Sequence, residues 1–373
     1  NPASSNRLAM TSKEPIGPVM AVSAFNHPLN LIVHQVGPAV ASGCPVIVKS
    51  HPMHAGTSEL VASAIVKAVE KTGMPKGVFS SINGRVQAGV DLVNHPKVKA
   101  VGFTGSITGG RALFDIAAKR EEPIPVFAEM GSINPVIITP DAISQRGGEI
   151  AKTYAGSITL GTGQFCTNPG LLLTIKNDNT EDFIAELAKE TIALDPQCML
   201  HPNIKSGYEK KEADVTSQSG VEVVGKVDAD LEPNYAASAI ATISGSEFLA
   251  NPKLHQEVFG PFSLVVQCKD DAELLQIIEG LEGQLTGTLI AEDNDTINLI
   301  EVVDALQNRV GRIIYNGVPT GVEVCPSMQH GGPYPASTDS RFTAVGVHAI
   351  NRWVRPVSYQ SFPQSLLPEH LKG

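Results

Sequence analysis

One cysteine lies among glycines and polar residues in the segment GTGQFCTNPG, residues 161–170. The thiolate is the nucleophilic form of cysteine, so a loop that displays Cys166 could attack an electrophilic carbon. The alternative is a structural residue in the core, because free cysteine is among the most buried residue types. The segment alone leaves both interpretations open.

Two other polar residues lie at the ends of predicted strands and suit the same chemistry. Glu129 closes the segment PIPVFAEM, where loss of solvation would raise the pKa of its carboxyl toward that of a general base. Asn26, in SAFNHPLN, precedes a predicted helix, and its amide or the backbone N–H of Cys166 could donate to a developing oxyanion. The alternatives are a hydrogen-bonded loop carboxylate for Glu129 and a turn or helix cap for Asn26.

A glycine-rich turn, VGFTGSITGG, joins a strand predicted to end at Phe103 to a helix predicted to start near Gly109. Gly105 would let the backbone approach a ligand, and the helix N-terminus would offer free N–H groups to a phosphate. The spacing matches neither GxGxxG nor GxxxxGK[ST], so an ordinary turn is the alternative. Lys49 and Glu257 also flank predicted strands, and such positions converge on the ligand crevice of α/β sheets.

Neither a metal centre nor a disulfide framework is indicated. The segment HPMH, residues 51–54, places two histidines three residues apart without an HExxH pattern, so we predict no metal site there. The five cysteines are odd in number, far apart and without a CxxC pair, which favours a reducing compartment.

The elements that must position these residues follow an α/β rhythm. Short, continuously apolar strands alternate with helical periods, which predicts parallel sheets covered on both faces. We expect a first unit over residues 1–130, a second over 131–345 and a terminal strand and tail over 346–373. Further predicted helices cover 148–160, 180–194, 203–218 and 295–310. The tail after Gly346 alternates apolar and polar residues, as an exposed edge strand does.

Composition and charge narrow the classes of molecule that the protein could bind. A net charge of −10 over 373 residues, without a run of Lys or Arg, argues against nucleic acid and anionic membranes and favours a small-molecule ligand. No apolar run approaches the about 18 residues of a spanning helix. The beginning, NPASSNRLAM, lacks the regions of a signal peptide. We therefore predict a cytoplasmic protein.

Six segments, in chain order, carry a resemblance to a known family. AFNHP, VIVKS, GFTGS, AEMGS, GQFCT and EVFGP together resemble the aldehyde dehydrogenase superfamily across nearly the whole chain. The resemblance implies an α/β fold with a Rossmann-like cofactor domain over 1–130, an α/β catalytic domain over 131–345 and a C-terminal oligomerisation strand within 346–373. It also implies a homo-oligomer, a dimer or a tetramer.

The resemblance implies a mechanism as well. Cys166 would attack an aldehyde to give a thiohemiacetal, whose oxyanion is held by Asn26 and by the N–H of Cys166. Hydride would pass to NAD or NADP and leave a thioester, which a water activated by Glu129 would hydrolyse to the carboxylic acid. Transfer of the acyl group to coenzyme A is the alternative fate, and the presence of Glu129 favours hydrolysis.

The same correspondence assigns the cofactor contacts. Lys49 would bind the adenosine ribose, Gly105 and Ser106 the diphosphate, and Glu257 with Phe259 the nicotinamide ribose.

One departure bears on the choice of cofactor. Pro52 stands where many relatives have an acid that chelates the ribose 2′-hydroxyl, so the 2′-phosphate of NADP is permitted, with His51 or Thr57 near it. We predict NADP preference or dual use.

Two further segments point to one branch of the superfamily. GQFCTNPGLLL and NGVPTGVEVCPSMQHGGPYPASTDSR resemble the 2-oxoglutarate semialdehyde (2,5-dioxopentanoate) dehydrogenases more closely than the NADP-linked fatty aldehyde dehydrogenases. A substrate of the first kind needs a partner for its distal carboxylate, and Arg341 is one candidate. The alternatives are a fatty or broad-specificity aldehyde dehydrogenase, or a truncated, non-catalytic relative, because only 25 residues precede Asn26.

Overall fold

Strands and helices alternate through the part of the chain that the computed structural model describes, residues 8–293 and 295–373. The strands are β1 (Ala9–Pro15), β2 (Val19–Val22), β3 (Val46–Lys49), β4 (Phe79–Ile82), β5 (Ala100–Thr104), β6 (Val126–Glu129), β7 (Val136–Ile138), β8 (Leu171–Ile175), β9 (Gln197–Cys198), β10 (Glu222–Lys226), β11 (Tyr235–Ala236), β12 (Ala239–Ser244), β13 (Phe262–Cys268), β14 (Gln284–Ile290), β15 (Val310–Tyr315) and β16 (Val354–Gln360). The helices are α1 (Pro28–Ala41), α2 (Ala55–Thr72), α3 (Val86–Asn94), α4 (Ile107–Ala118), α5 (Pro140–Thr159), α6 (Thr180–Ile192), α7 (Pro202–Thr216), α8 (Gly245–Ala250), α9 (Asp271–Gly280) and α10 (Leu299–Gln307).

Two large sheets organise the chain. The first has the order β4-β3-β2-β5-β6, and all its neighbours are parallel. The second has the order β10-β12-β13-β8-β7-β14-β15 and is parallel except for β10 at its edge. Along β8, Leu171 and Leu173 pack in one buried cluster and Leu172 in another, so this sheet is covered on both faces. The predicted α/β fold class is confirmed.

The chain passes from the first sheet to the second directly after a candidate catalytic residue. Glu129 ends β6, and β7 begins at Val136. The division of the chain into domains at 130 and 345 stays a prediction. None of the helices among the described residues combines the length and the hydropathy needed to cross a bilayer.

Several predicted helices have different ends in the structure. α5 begins at Pro140, where Thr139 caps it by accepting from the N–H of Ala142, and it is kinked at Arg146, so the helix predicted over 148–160 corresponds to the part after the kink. The helix predicted over 295–310 is shorter, Leu299–Gln307, with Asn298 as its cap. Local capping therefore decided boundaries that apolar periodicity could not.

The exposed strand predicted in the tail is present as β16, but it covers only the later part of the predicted segment. Residues Val347–Trp353 form a 3₁₀ helix, and only Val354–Gln360 are extended. The indole of Trp353 is fully buried in the core of the first sheet, against Phe127. β16 pairs antiparallel with β1 along its whole length, so one of its edges is satisfied within the chain.

Candidate active site

A cavity of about 650 Å³ opens at the carboxyl ends of β2, β5 and β6 and collects most of the predicted site residues. Its size is within the usual range for a bound small molecule. Residues that the sequence singled out and that line it are Asn26, Gly105, Ser106, Glu129, Cys166, Glu257 and Phe259. The structure therefore brings together side chains that are up to 233 residues apart, from Asn26 to Phe259.

The Cys166 loop is held by a close approach of two backbones. A Cβ on Gly163 would lie 2.1 Å from the carbonyl oxygen of Gly260, and the φ angle of Gly163 is +65°. Only glycine meets both conditions. Asn26 fixes the same loop from the first sheet, because its Nδ2 donates to the carbonyl of Gln164 at 3.1 Å. The predicted oxyanion donor thus lies beside the nucleophile candidate.

Asn134 is a support of this loop that the sequence analysis missed. It lies on the crossing between the sheets with a φ angle of +48°. Its Nδ2 donates to the carbonyls of Cys166 and Asn168, both at 2.9 Å. Its Oδ1 accepts from the hydroxyls of Ser132 and Thr286 at 2.9 and 3.0 Å. The amide is fully satisfied, so the backbone of Cys166 is anchored to the second sheet.

His330 joins the two candidate catalytic residues and was also missed. Its Nε2 lies 2.8 Å from Oε1 of Glu129 and 3.6 Å from Sγ of Cys166. Glu129 and His330 are each 4% exposed. The loop that carries His330 is fixed locally, because its N–H donates to the hydroxyl of Thr343 at 2.9 Å. We call Glu129, Cys166 and His330 the catalytic trio.

Burial and charge set the protonation of the catalytic trio. Burial raises the pKa of the Cys166 thiol, and the charge of Glu129 raises it further, while His330 lowers it. Burial alone would lower the pKa of His330, but the charges of Glu129 and Cys166 hold it well above its ordinary value. Burial alone would raise the pKa of Glu129, but its charge interaction and hydrogen bond with His330 lower it. A thiol therefore faces an imidazolium–carboxylate pair.

A buried arginine lies behind this pair. Arg352 is 3% exposed, and its charge contributes to the lowered pKa of Glu129. Its guanidinium donates to Oε1 of Gln35 and stacks on Trp353, with 4.9 Å from its central carbon to the ring centroid. The buried tail thus adds positive charge beside the trio.

Four of the residues predicted to hold a dinucleotide, Gly105, Ser106, Glu257 and Phe259, line the cavity and offer groups that suit one. Ser106 caps α4, and the adjoining Gly105 leaves the turn open to the cavity. A Cβ on Gly131 would lie 2.7 Å from Oε2 of Glu257, so glycine is needed where this carboxylate lies. Burial raises the pKa of Glu257 to about 7, and the hydroxyl of Thr104 is buried without a partner. Both groups would gain from a ligand with hydroxyls.

Lys49 and His51 do not line this cavity. Lys49 ends β3 and is buried, and burial lowers its pKa. The ring of His51 lies 5.6 Å from that of Phe25, which does line the cavity. Burial lowers the pKa of His51 to about 4, with further lowering by Lys49, His54 and His201. A group of basic side chains therefore surrounds His51, and Pro52 adds no acid to it.

Arg341 does not line the cavity either, so the structure does not support it as a carboxylate anchor. Its exposed guanidinium pairs with Asp339 at 2.6 Å. Arg312 does not line the cavity either, but its charge interacts with that of Cys166, which makes it the better candidate. Its half-buried guanidinium donates to the carbonyls of Pro319 and Gly321, and its Nε is buried without a partner. Burial lowers the pKa of Arg312, and the charge of Cys166 partly restores it.

Comparison with known proteins gives consistent matches. The aldehyde dehydrogenase family model matches residues 1–353. The chain is 47% identical to alpha-ketoglutaric semialdehyde dehydrogenase 2 of Azospirillum brasilense, over 96% of this chain and 69% of that protein. It is 43% identical to alpha-ketoglutaric semialdehyde dehydrogenase of Acinetobacter baylyi, over 96% and 68%. Among solved structures, glyceraldehyde-3-phosphate dehydrogenase GapN of Methanocaldococcus jannaschii, complexed with NADP, superposes with a TM-score of 0.79 at 20% identity, over 96% of this chain and 75% of that chain.

Proposed function

Because the chain belongs to the aldehyde dehydrogenase family, we propose that it oxidises 2-oxoglutarate semialdehyde to 2-oxoglutarate with NADP+ or NAD+. The family predicted from the sequence is confirmed. The contact of Cys166 with the His330–Glu129 pair, inside the cavity, is the observation that carries the proposal. The names of the two relatives described above support the choice of aldehyde.

The first step is formation of the thiolate. When the Cys166 thiol loses its proton to solvent in the cavity, its Sγ faces the positively charged Nε2 of His330 at 3.6 Å. A neighbouring cation stabilises a thiolate. Glu129 keeps His330 charged, because its Oε1 accepts the Nε2 proton at 2.8 Å. The half-buried thiol is thereby activated only as part of the trio.

The next step forms a bond from Sγ to the aldehyde carbon. The carbonyl π pair moves onto oxygen and gives a thiohemiacetal anion. The amide of Asn26 and the backbone N–H of Cys166 are the donors for this oxygen, since Asn26 lies beside the Cys166 loop. Such donors contribute most when water is excluded.

Bound NAD(P)+ would supply the hydride acceptor that this reaction needs, so that the thiohemiacetal on Cys166 could become a thioester. Gly105 and Ser106 would hold its diphosphate, Glu257 its nicotinamide ribose beside Phe259, and Lys49 its adenosine ribose. The buried, unpartnered hydroxyl of Thr104 supports this placement.

Hydrolysis of the thioester requires a base that is not already occupied. Oε1 of Glu129 accepts from His330, whereas its Oε2 is buried without a hydrogen-bond partner. Oε2 can therefore accept a proton from water as the water oxygen attacks the thioester carbon. The C–S bond then breaks, and the thiolate is released to His330.

Removal of the imidazole should slow thiolate formation. In His330→Gln, we expect the rate of thioester formation to fall about 100-fold, the effect of losing one group that stabilises a developing anion. His330 lowers the pKa of Cys166 in the native enzyme, so the midpoint of Cys166 alkylation by iodoacetamide should move to higher pH. A purely structural role of His330 would leave that midpoint in place. The exposed His348→Gln serves as the control and should change neither quantity.

Cofactor choice follows from the basic surroundings of His51. Pro52 supplies no carboxylate to chelate a 2′-hydroxyl or to repel a 2′-phosphate. We expect kcat/KM for NADP+ to equal or exceed that for NAD+, and Pro52→Glu to reverse this by about tenfold through like-charge repulsion. Pro52→Ala is the matched uncharged control. A wild-type ratio strongly in favour of NAD+ would contradict the proposal.

The distal carboxylate of the substrate needs a cation, and we propose Arg312. Arg312→Gln should raise KM for 2-oxoglutarate semialdehyde at least about tenfold, the worth of one charge-assisted hydrogen bond. KM for the uncharged butanal should change little. Arg312→Lys keeps the charge, so its KM for the semialdehyde should lie between those of the wild type and Arg312→Gln. If KM rises equally for both aldehydes, Arg312 supports its loop and does not bind the substrate.

The remaining proposals concern the protein in solution. All five cysteines are unpaired, which suits a reducing compartment such as the cytoplasm.

A two-stranded sheet such as β1–β16 is only marginally stable on its own. We propose that β16 extends into a sheet of a second copy, so that the mass by light scattering exceeds the 39.4 kDa of one chain; a monomer at micromolar concentration would contradict this.

A further inference from the structure

Three metal-ligating side chains of different types meet at one point of the cavity. One ligand atom from each of Glu129, Cys166 and His330 lies within 4.8 Å of the other two. Ligands at about 2.3 Å for sulfur and about 2.0 Å for nitrogen from a tetrahedral zinc are about 3.5 Å apart. The separation of Sγ and Nε2 is 3.6 Å, so two ligands already have the required spacing.

The third ligand is also available. Oε1 of Glu129 lies 2.8 Å from Nε2 of His330. That oxygen would move outward by about half an ångström to reach the spacing of tetrahedral zinc ligands. Its partner Oε2 is buried and has no hydrogen-bond partner, so either oxygen can serve. Thiolate and imidazole ligands favour zinc over magnesium or calcium. The two histidines of the HPMH segment, residues 51–54, contribute no ligand to this group.

We propose that the catalytic trio binds one Zn²⁺ ion, with its fourth position open to the cavity, and that this ion inhibits the enzyme. Zinc binds Sγ as a thiolate and Nε2 as a neutral imidazole, so the thiol proton of Cys166 and the Nε2 proton of His330 are released to solvent as these bonds form. The ion then occupies the sulfur lone pair that would otherwise attack the aldehyde and the carboxylate that would activate water. The inhibition rests on the proposed function, whereas the binding site does not. Nothing in the proposed reaction needs the ion.

Binding is measured independently of activity with Co²⁺ as the probe. Added to the enzyme after chelator treatment, Co²⁺ should give a thiolate-to-cobalt charge-transfer band and intense tetrahedral d–d bands at one ion per chain. Addition of Zn²⁺ should displace Co²⁺ and abolish both the charge-transfer band and the d–d bands. In the activity assay, free Zn²⁺ in the micromolar range should lower the rate of NADPH formation at least tenfold. EDTA should restore that rate. Activity that is insensitive to bound metal would overturn the inhibition.

Variants locate the ligands. Cys166→Ala should abolish the charge-transfer band, and His330→Asn should weaken Co²⁺ binding at least about tenfold. Cys198→Ser and Cys325→Ser remove thiols outside the catalytic trio and should leave the spectrum unchanged. A spectrum that survives in Cys166→Ala, or vanishes in a control variant, overturns the site. An enzyme that oxidises the aldehyde but binds no Co²⁺ overturns this inference alone; one that binds Co²⁺ but oxidises no aldehyde overturns the proposed function alone.

Discussion

Cys166→Ala should abolish aldehyde oxidation, with kcat falling about 10⁶-fold or below detection, as for the loss of a covalent nucleophile. The reason is that no other thiol meets the His330–Glu129 pair: among the described residues, Cys44 and Cys268 are buried in the cores of the two sheets. Absorbance of NADPH measures the loss. Calorimetric titration with NADP+ should show unchanged affinity, because the cofactor contacts proposed above do not include the Cys166 thiol.

The controls separate nucleophile loss from damage to the fold. Cys198→Ser and Cys325→Ser alter thiols away from the catalytic trio and should retain wild-type turnover. If Cys166→Ala retains more than a trace of turnover, the covalent mechanism is wrong. If it loses NADP+ affinity as well, the variant is misfolded and Cys166→Ser replaces it in the same test.

Glu129→Gln should separate the two halves of the reaction. We expect one equivalent of NADPH per active site in a burst, followed by steady turnover about 10³-fold below wild type, the effect of a lost general base. The burst itself should be slower, because Glu129 also holds the charge of His330. Quenched-flow measurement gives both phases.

Two outcomes would contradict this division of labour. A linear progress curve at the wild-type rate would show that Glu129 is not the hydrolytic base. Formation of acyl-CoA by the wild-type enzyme, when coenzyme A is supplied, would show that the thioester is transferred rather than hydrolysed. We expect no acyl-CoA.

Strand-end positions made much of the site predictable. Glu129 and Asn26 follow apolar strands, and the carboxyl ends of parallel strands converge on one edge of a sheet. The glycines of GTGQFCTNPG signalled a special backbone, and the structure explains one of them by the contact of Gly163 with Gly260. The fold class followed from the same alternation of strands and helices.

His330 could not be predicted in this way. It lies in a long segment without regular structure, 201 residues from Glu129 in sequence. Long-range contacts place that segment: the N–H of Met130 donates to the carbonyl of Ala336, and Glu129 forms an isolated bridge with Ser337. Local patterns carry no information on such pairings. His330 lies in the sequence QHGG, within the long segment that resembles the family. That histidine is the one sequence feature that could have indicated a third residue of the trio.

Arg341 and the first part of the tail, before Val354, differ from the prediction for another reason. An arginine was assigned by its charge, but Asp339, two residues away, already pairs with it. The alternating tail suggested exposure, yet Trp353 is buried beside Phe127, and the backbone N–H of Ile16 donates to the carbonyl of Trp353. In both cases the side chain already interacts with a neighbour, Asp339 for Arg341 and Phe127 for Trp353, that the sequence pattern did not take into account.

The central claim is that Cys166 carries the acyl group from 2-oxoglutarate semialdehyde. Glu129→Gln, mixed with this aldehyde and NADP+ and quenched in acid after the burst, should retain the acyl group as a thioester. Peptide mass spectrometry should find the added 2-oxoglutaryl mass on the peptide that contains Cys166, in an amount equal to the burst. The same acyl mass on another residue, or a full burst of NADPH with Cys166 unmodified, would contradict the account.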